Sequence, residues 1–208
     1  MTEPVQDLSF EAKMRKTFNR PIAAAARFFL SIGLKANHVT LFGLLGQLVA
    51  AFLIAQGHFT LAGVLVMVLA PFDAVDGAMA RMAGETSEFG AFLDSVTDRY
   101  EELALLGGLT FFYANRNNLL AVMLCFAAAA GSVLVSYTRA RAEGLGFNGK
   151  VGLLTRVERA IVIVVGLLIA KPVYSVGIIA ILANITALQR IVSIWKQSKP
   201  KQGKGTLK

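Results

Sequence analysis

Four aspartates stand at regular spacing in the segment 71–99, PFDAVDGAMARMAGETSEFGAFLDSVTDR. Asp73 and Asp76 are spaced i, i+3 and Asp94 and Asp98 i, i+4, so each pair takes one side of its own helix. Gly84 to Ser87, where Gly, Thr and Ser cluster, reads as the break between the two helices. Counted from Glu85, Asp76 lies nine residues before and Asp94 nine after, with Asp73 twelve before and Asp98 thirteen after. An antiparallel hairpin with the ordinary helical rise sets all four about 14–20 Å from the turn. Four carboxylates then meet in one place.

Such a cluster needs a reason. Each isolated charge in a bilayer costs on the order of 3 kcal/mol, and four acids facing one another also repel. Helix capping or pairing with Arg81 and Arg99 is the bland alternative, but two arginines cannot neutralise four clustered acids. One or two divalent cations can. Oxygen donors with no His or Cys nearby favour magnesium, manganese or calcium over zinc. Gly77, Ala80 and Gly90 on the same helices fit close helix packing, and equally fit a ligand brought up to the backbone beside the acids.

The elements that hold these residues are read from composition. Of 208 residues, 55% are hydrophobic and 16% charged, against about 25% charged in a typical soluble domain. No Asp, Glu, Lys or Arg occurs from Ala36 to Phe72, from Asn117 to Thr138 or from Pro172 to Gln189. A membrane span needs about 20 apolar residues, so a soluble globular fold is excluded. So is a disulfide scaffold, because the only cysteine, Cys125, sits inside an apolar run and reads as core packing.

The expected architecture is an all-α integral membrane protein in one domain over residues 1–208. Residues 1–35 read as an amphipathic interfacial helix, with Phe10, Met14, Phe18 and Ile22 every four residues and Lys13, Lys16 and Arg20 on other faces. A six-span bundle over 36–195 follows, at 38–56, 60–83, 88–113, 118–141, 156–171 and 173–194. Residues 196–208 form a basic tail. No cleavable signal peptide is visible. The connections near Gly57, Asn115 and Pro172 carry only Arg116 and Lys171, which puts both termini on the cytoplasmic side of the cell membrane. The net charge of +8 gathers at the ends of apolar segments, a pattern of topology and of anionic lipids and substrates, not of nucleic acid. His38 and His58 read as interfacial, and Trp195 as part of the aromatic belt.

Written as a pattern, the aspartate segment is D-x2-D-G-x2-A-R-x8-G-x3-D-x3-D, met by Asp73, Asp76, Gly77, Ala80, Arg81, Gly90, Asp94 and Asp98. It resembles the signature of the CDP-alcohol phosphotransferase family of membrane phospholipid synthases, whose architecture the six spans and the leading helix also resemble. The resemblance implies that an alcohol attacks the phosphorus nearest the lipid in a CDP-linked lipid and that CMP leaves. It implies two metal ions, Mg2+ or Mn2+, on Asp73, Asp76, Asp94 and Asp98, with Asp98 also the general base. It implies a CDP-lipid site at Gly77, Ala80, Arg81, Ser87 and Gly90, bordered by Lys35, Ala36, Asn37, His38 and Thr40. The match of 35–40 is partial, since a proline is common where Ala36 stands. Asn37 and Thr40 fit helix capping about as well. Family members are commonly homodimers.

A second set of residues bears on the acceptor. Arg139 and Arg141 end the fourth span, Arg156 and Arg159 open the fifth, and Arg190 sits near the end of the sixth. The guanidinium fork suits phosphate, so these arginines fit an acceptor that itself carries one, the alternative being the positive-inside bias. The run SYTRARAE at 136–143, Glu158-Arg159 and Gln189-Arg190 resemble the family branch that uses inositol 1-phosphate, with CDP-diacylglycerol or CDP-archaeol as donor. The competing branch uses glycerol 3-phosphate. There a proline and a lysine are expected around the last two aspartates, where this chain has Ser95 and Arg99. Glu101 and Glu102 read as helix contacts or arginine partners. The rival from another class is a divalent cation transporter using the same acids. It is disfavoured because the acids and arginines gather toward one side.

Overall fold

The computed structural model describes residues 10–199, with side chains from Arg20 to Lys199. The described residues form helices α1 (Phe10–Ser31), α2 (Ala36–Ala55), α3 (Phe59–Leu69), α4 (Phe72–Ala83), α5 (Glu88–Ala114), α6 (Leu119–Gly144), α7 (Arg156–Leu168) and α8 (Pro172–Ser198). The described residues are all-helical, and the chain is a multi-pass membrane protein. Among the described residues, four segments are long and apolar enough to cross a bilayer: Ala36–Ala55, Phe59–Ala83, Leu119–Gly144 and Pro172–Ser198. The other two expected spans coincide with α5 and α7. The first 15 residues of α5 carry six charged residues, and α7 is only 13 residues long, so neither qualifies by length and composition.

Helix ends follow local chemistry. Asn118 accepts from the Ala121 N–H at 3.1 Å to cap α6. At the start of α7 the Glu158 carboxylate takes the Thr155 N–H at 2.8 Å. Pro172 opens α8, where its missing N–H costs nothing. The expected span at 60–83 differs in one respect. It is two helices, α3 and α4, because Pro71 has no N–H to continue the first and its ring crowds the preceding turn. The tail beyond Lys199, and the Phe10, Met14 and Phe18 stripe of α1, lie outside the described residues and side chains.

The fold divides into two compact units, Met1–Gly46 with Val68–Asp98, and Gln47–Met67 with Arg99–Lys208. In the first, α1 lies on α4 and the start of α2 through buried Ala26, Val39, Val75, Ala78 and Met79, with Ile22, Phe29 and Phe72 packed around them. The second has a larger core that includes Ile54, Leu106, Leu109, Cys125, Ile163, Leu167 and Ile179. Small residues set its helix spacing, as expected where lipid supplies no hydrophobic drive between helices. A Cβ on Gly108 would stand 2.4 Å from the Ala51 carbonyl oxygen, so only glycine lets α5 come this close to α2 there. On α6 and α8, Gly131 faces Asn184, whose amide donates to the Ala127 carbonyl at 3.0 Å. Many large apolar side chains, among them Phe52, Leu120, Phe126, Ile181 and Leu188, point outward. That is unfavourable in water and suitable in lipid.

Candidate active site

The first unit carries the aspartates. The turn predicted at 84–87 is present: α4 ends at Ala83, and Gly84 takes a left-handed φ of +66° while its N–H reaches the Ala80 and Arg81 carbonyls. Ser87 then accepts from the Gly90 N–H at 3.0 Å and so caps α5. This hairpin brings the paired acids of α4 and α5 together. Asp73 and Asp98 each offer a carboxylate oxygen within 4.8 Å of the other. Asp94 and Asp73 are close enough to Asp76 for their charges to act on it. Asp76 and Asp98 are buried, while Asp73 and Asp94 are half-buried.

This donor set consists of carboxylates alone, the chemistry that a hard divalent cation requires and that zinc does not prefer. The acids therefore fit the divalent metal implied by their spacing. One of them is further restrained: Thr40 Oγ1 donates to Asp76 Oδ2 at 2.6 Å from the start of α2. That bond is not visible in the sequence, since the partners are 36 residues apart.

The other candidates on this unit fall into place individually. A Cβ on Gly77 would stand 3.3 Å from the Arg81 guanidinium, so the glycine gives that side chain room across one turn of α4. Arg81 is exposed and lines an open cleft of about 360 Å³ with Ile22, Ala23, Ala78 and Met82. Ala80 and Gly90 are half-buried and Ser87 is exposed. Lys35, Asn37 and His38 are exposed around the start of α2, and His38 Nδ1 accepts from the Lys35 N–H at 3.3 Å. Ala36 is half-buried against the unit's core. Asn37 and Thr40 both lie inside α2, and the Thr40 hydroxyl is engaged with Asp76.

The second unit holds the five arginines in three different settings. Arg139 and Arg141 are exposed at the end of α6, with Arg139 paired to Glu143 one turn on at 2.9 Å. Arg156 is half-buried, 3.6 Å from Glu101. Arg159 is 1% exposed, and Glu102 grips it side-on at 2.6 and 2.8 Å while the Leu154 carbonyl accepts at 3.5 Å. Arg190, also buried, donates to the Val151 carbonyl at 2.7 Å and to the Val135 carbonyl. Glu101 and Glu102, open in the sequence between helix contacts and arginine partners, are arginine partners here.

The sequence profile of the CDP-alcohol phosphatidyltransferase family matches residues 34–195. Among similar proteins, the phosphatidylinositol phosphate synthase of Streptomyces avermitilis is 34% identical, with 88% of this chain and 82% of that protein aligned. The archaetidylinositol phosphate synthase of Pyrococcus horikoshii is also 34% identical, over 89% of this chain and 97% of that one. The crystal structure of Mycobacterium tuberculosis phosphatidylinositol phosphate synthase with CDP-DAG bound superposes with a TM-score of 0.80 at 29% identity, covering 85% of this chain and 94% of that one. The same enzyme in complex with manganese and citrate gives 0.77 at 29% identity, covering 84% and 88%. A profile that spans the aspartate hairpin, and relatives that align over most of their own length, lead to one assignment: the chain belongs to the CDP-alcohol phosphatidyltransferase family and is a membrane transferase of phospholipid biosynthesis.

Proposed function

We propose that the protein transfers the phosphatidyl group of CDP-diacylglycerol, or the corresponding group of CDP-archaeol, to 1-myo-inositol 1-phosphate, giving phosphatidylinositol phosphate (or its archaetidyl counterpart) and CMP. The observation that carries this reading is the pairing of Asp73 with Asp98 beside Asp76 and Asp94 in one unit. The acceptor is supported by the relatives. Those from Streptomyces and Pyrococcus differ in the lipid half of their names and share the inositol phosphate half.

Asp73, Asp76, Asp94 and Asp98 would hold two Mg2+ ions, or Mn2+. When bound, such ions polarise the diphosphate and neutralise charge on the departing phosphate. Lys35, Ala36, Asn37, His38, Thr40, Gly77, Ala80, Arg81, Ser87 and Gly90 border the CDP-lipid, and Arg81 supplies positive charge to its diphosphate. Asp98 accepts the proton of the attacking hydroxyl. The new bond forms between the acceptor oxygen and the phosphorus nearest the lipid, and the bond from that phosphorus to the CMP oxygen breaks. Arg139, Arg141, Arg156, Arg159 and Arg190 read the acceptor's own phosphate. In this proposal the seven apolar and mixed helices from α2 to α8 form six spans, with α3 and α4 counted as one. Helix α1 lies in the cytoplasmic interface, both termini face the cytoplasm, and two copies pair.

The test is CMP release by the purified protein with CDP-diacylglycerol and Mg2+ across inositol 1-phosphate, free inositol, glycerol 3-phosphate and serine. Release is expected with inositol 1-phosphate alone, and Asp98→Asn lowers it at least about 100-fold, the low end of what a positioned base contributes. Release with glycerol 3-phosphate in its place overturns the acceptor, and release undiminished in Asp98→Asn overturns the base.

A further inference from the structure

We infer that Thr40 is a positioning residue of the metal site: its hydroxyl fixes the Asp76 carboxylate so that the remaining lone pairs are presented to the ion. The inference rests on the proposed reading of Asp76 as a metal ligand. A hydroxyl has one hydrogen, and two acceptors stand near this one, Asp76 Oδ2 at 2.6 Å and the Ala36 carbonyl at 3.2 Å. The shorter distance to an ionised oxygen is the signature of a charge-assisted bond, so the proton belongs to Asp76. The 3.2 Å approach to the Ala36 carbonyl is where a threonine inside a helix ordinarily back-bonds, an alternative this hydroxyl gives up in favour of Asp76. Both partners are hidden from solvent, Thr40 at 9% and Asp76 at 5% exposure, so water offers no substitute for the bond.

The bond matters because the last torsion of an aspartate is broad and nearly two-fold, unlike the staggered torsions before it. Unrestrained, the Asp76 carboxylate could turn either oxygen in either direction. Thr40 takes one lone pair of Oδ2 from α2, and Val39 beside it is buried against Val75 and Met79 of α4. The donor is thus held by packing that involves the helix carrying its acceptor. A carboxylate restrained in this way pays less on binding a cation, and outer partners of this kind are worth about 10–100-fold in metal affinity.

The experiment uses the full-length protein in detergent and Mn2+ as the probe, with free Mn2+ read by electron paramagnetic resonance. Thr40→Val removes the hydroxyl and keeps the branched shape, Thr40→Ala removes it without steric demand, and Thr40→Ser restores it. Half-saturation by Mn2+ is expected to rise about 10–100-fold in Thr40→Val and Thr40→Ala, and to return most of the way in Thr40→Ser. In the Asp76→Asn background, Thr40→Val is expected to add nothing further. If Thr40→Val fails to fold, Thr40→Ala carries the same comparison. Unchanged Mn2+ half-saturation in a folded variant that lacks the hydroxyl, or a full additional loss in the Asp76→Asn background, overturns the inference. A wild-type protein that binds no Mn2+ overturns both this inference and the reading of Asp76 on which it rests.

Discussion

Glu102→Gln tests the buried ion pair most directly. The side chain of Arg159 is 1% exposed and that of Glu102 14%, and both carboxylate oxygens are used, at 2.6 and 2.8 Å. At an effective dielectric of about 20, two unit charges 4 Å apart attract by about 4 kcal/mol. Desolvation consumes most of that gain when the pair forms. It is not refunded when one partner is removed, and a buried charge left alone costs about 3–5 kcal/mol. A glutamine can still accept one of the two Arg159 hydrogens, so the lower half of that range is expected. For a chain of this size, about 1 kcal/mol corresponds to 2–4 °C in Tm, which gives a fall of about 6–16 °C.

The assay is thermal unfolding in detergent, followed by loss of the monodisperse species. The double variant Glu102→Gln with Arg159→Met removes the orphaned charge and is expected to recover part of the loss. Arg139→Gln serves as the contrast. Its partner Glu143 is one turn away, and the two side chains are 48% and 47% exposed. Such a pair contributes about 0.3–0.5 kcal/mol, or about 1–2 °C. A Glu102→Gln shift no larger than that of Arg139→Gln, or strict additivity in the double variant, would refute the reasoning.

Two further outcomes follow from the packing and the site. Gly108→Ala places a Cβ 2.4 Å from the Ala51 carbonyl oxygen and is expected to destabilise by about 1–3 kcal/mol, whereas Gly107→Ala meets nothing within 4 Å and is expected to be neutral or stabilising; matched thermal melts decide it. Removal of divalent ions with EDTA is expected to abolish CMP release, with recovery on adding Mg2+ or Mn2+ and none on adding zinc, because the donor set is carboxylate only.

What could be read from the sequence was local and periodic. Asp73, Asp76, Asp94 and Asp98 were legible because helical spacing and a glycine-marked turn fix their faces and depths without knowledge of the rest of the chain. Gly84 adopts the left-handed turn that such a break needs. Helix positions were legible for the same reason, within a few residues. The break at Pro71 was hidden inside an unbroken apolar run, where hydropathy outweighed the proline. Pairings across the chain were not legible. Thr40 meets Asp76 over a separation of 36 residues, Glu102 meets Arg159 over 57, and Arg190 meets the Val135 carbonyl over 55. Each depends on how two helices are rotated against each other, which side-chain volumes at many positions decide together.

That dependence sorts the five arginines in a way their spacing does not. Charge asymmetry in the sequence treats Arg139, Arg141, Arg156, Arg159 and Arg190 alike, as positive charge at span ends. The structure leaves Arg139 and Arg141 exposed and holds Arg159 and Arg190 in place. A guanidinium has five N–H donors. In Arg190 one nitrogen is committed to the Val151 carbonyl and another to that of Val135, so its plane is fixed while the third nitrogen keeps its hydrogens. Arg159 differs: all three of its nitrogens are engaged, two by the Glu102 carboxylate and one by the Leu154 carbonyl, so its charge is already met by a carboxylate. In the proposed acceptor role, the fixed pair has already met the entropic cost of orientation, about 2 kcal/mol for a free arginine side chain. The exposed pair must meet that cost when phosphate arrives. In that proposed role, selectivity for a phosphorylated acceptor would rest more on Arg190, whose third nitrogen keeps its hydrogens, and capture of the anion from solution more on the exposed Arg139 and Arg141.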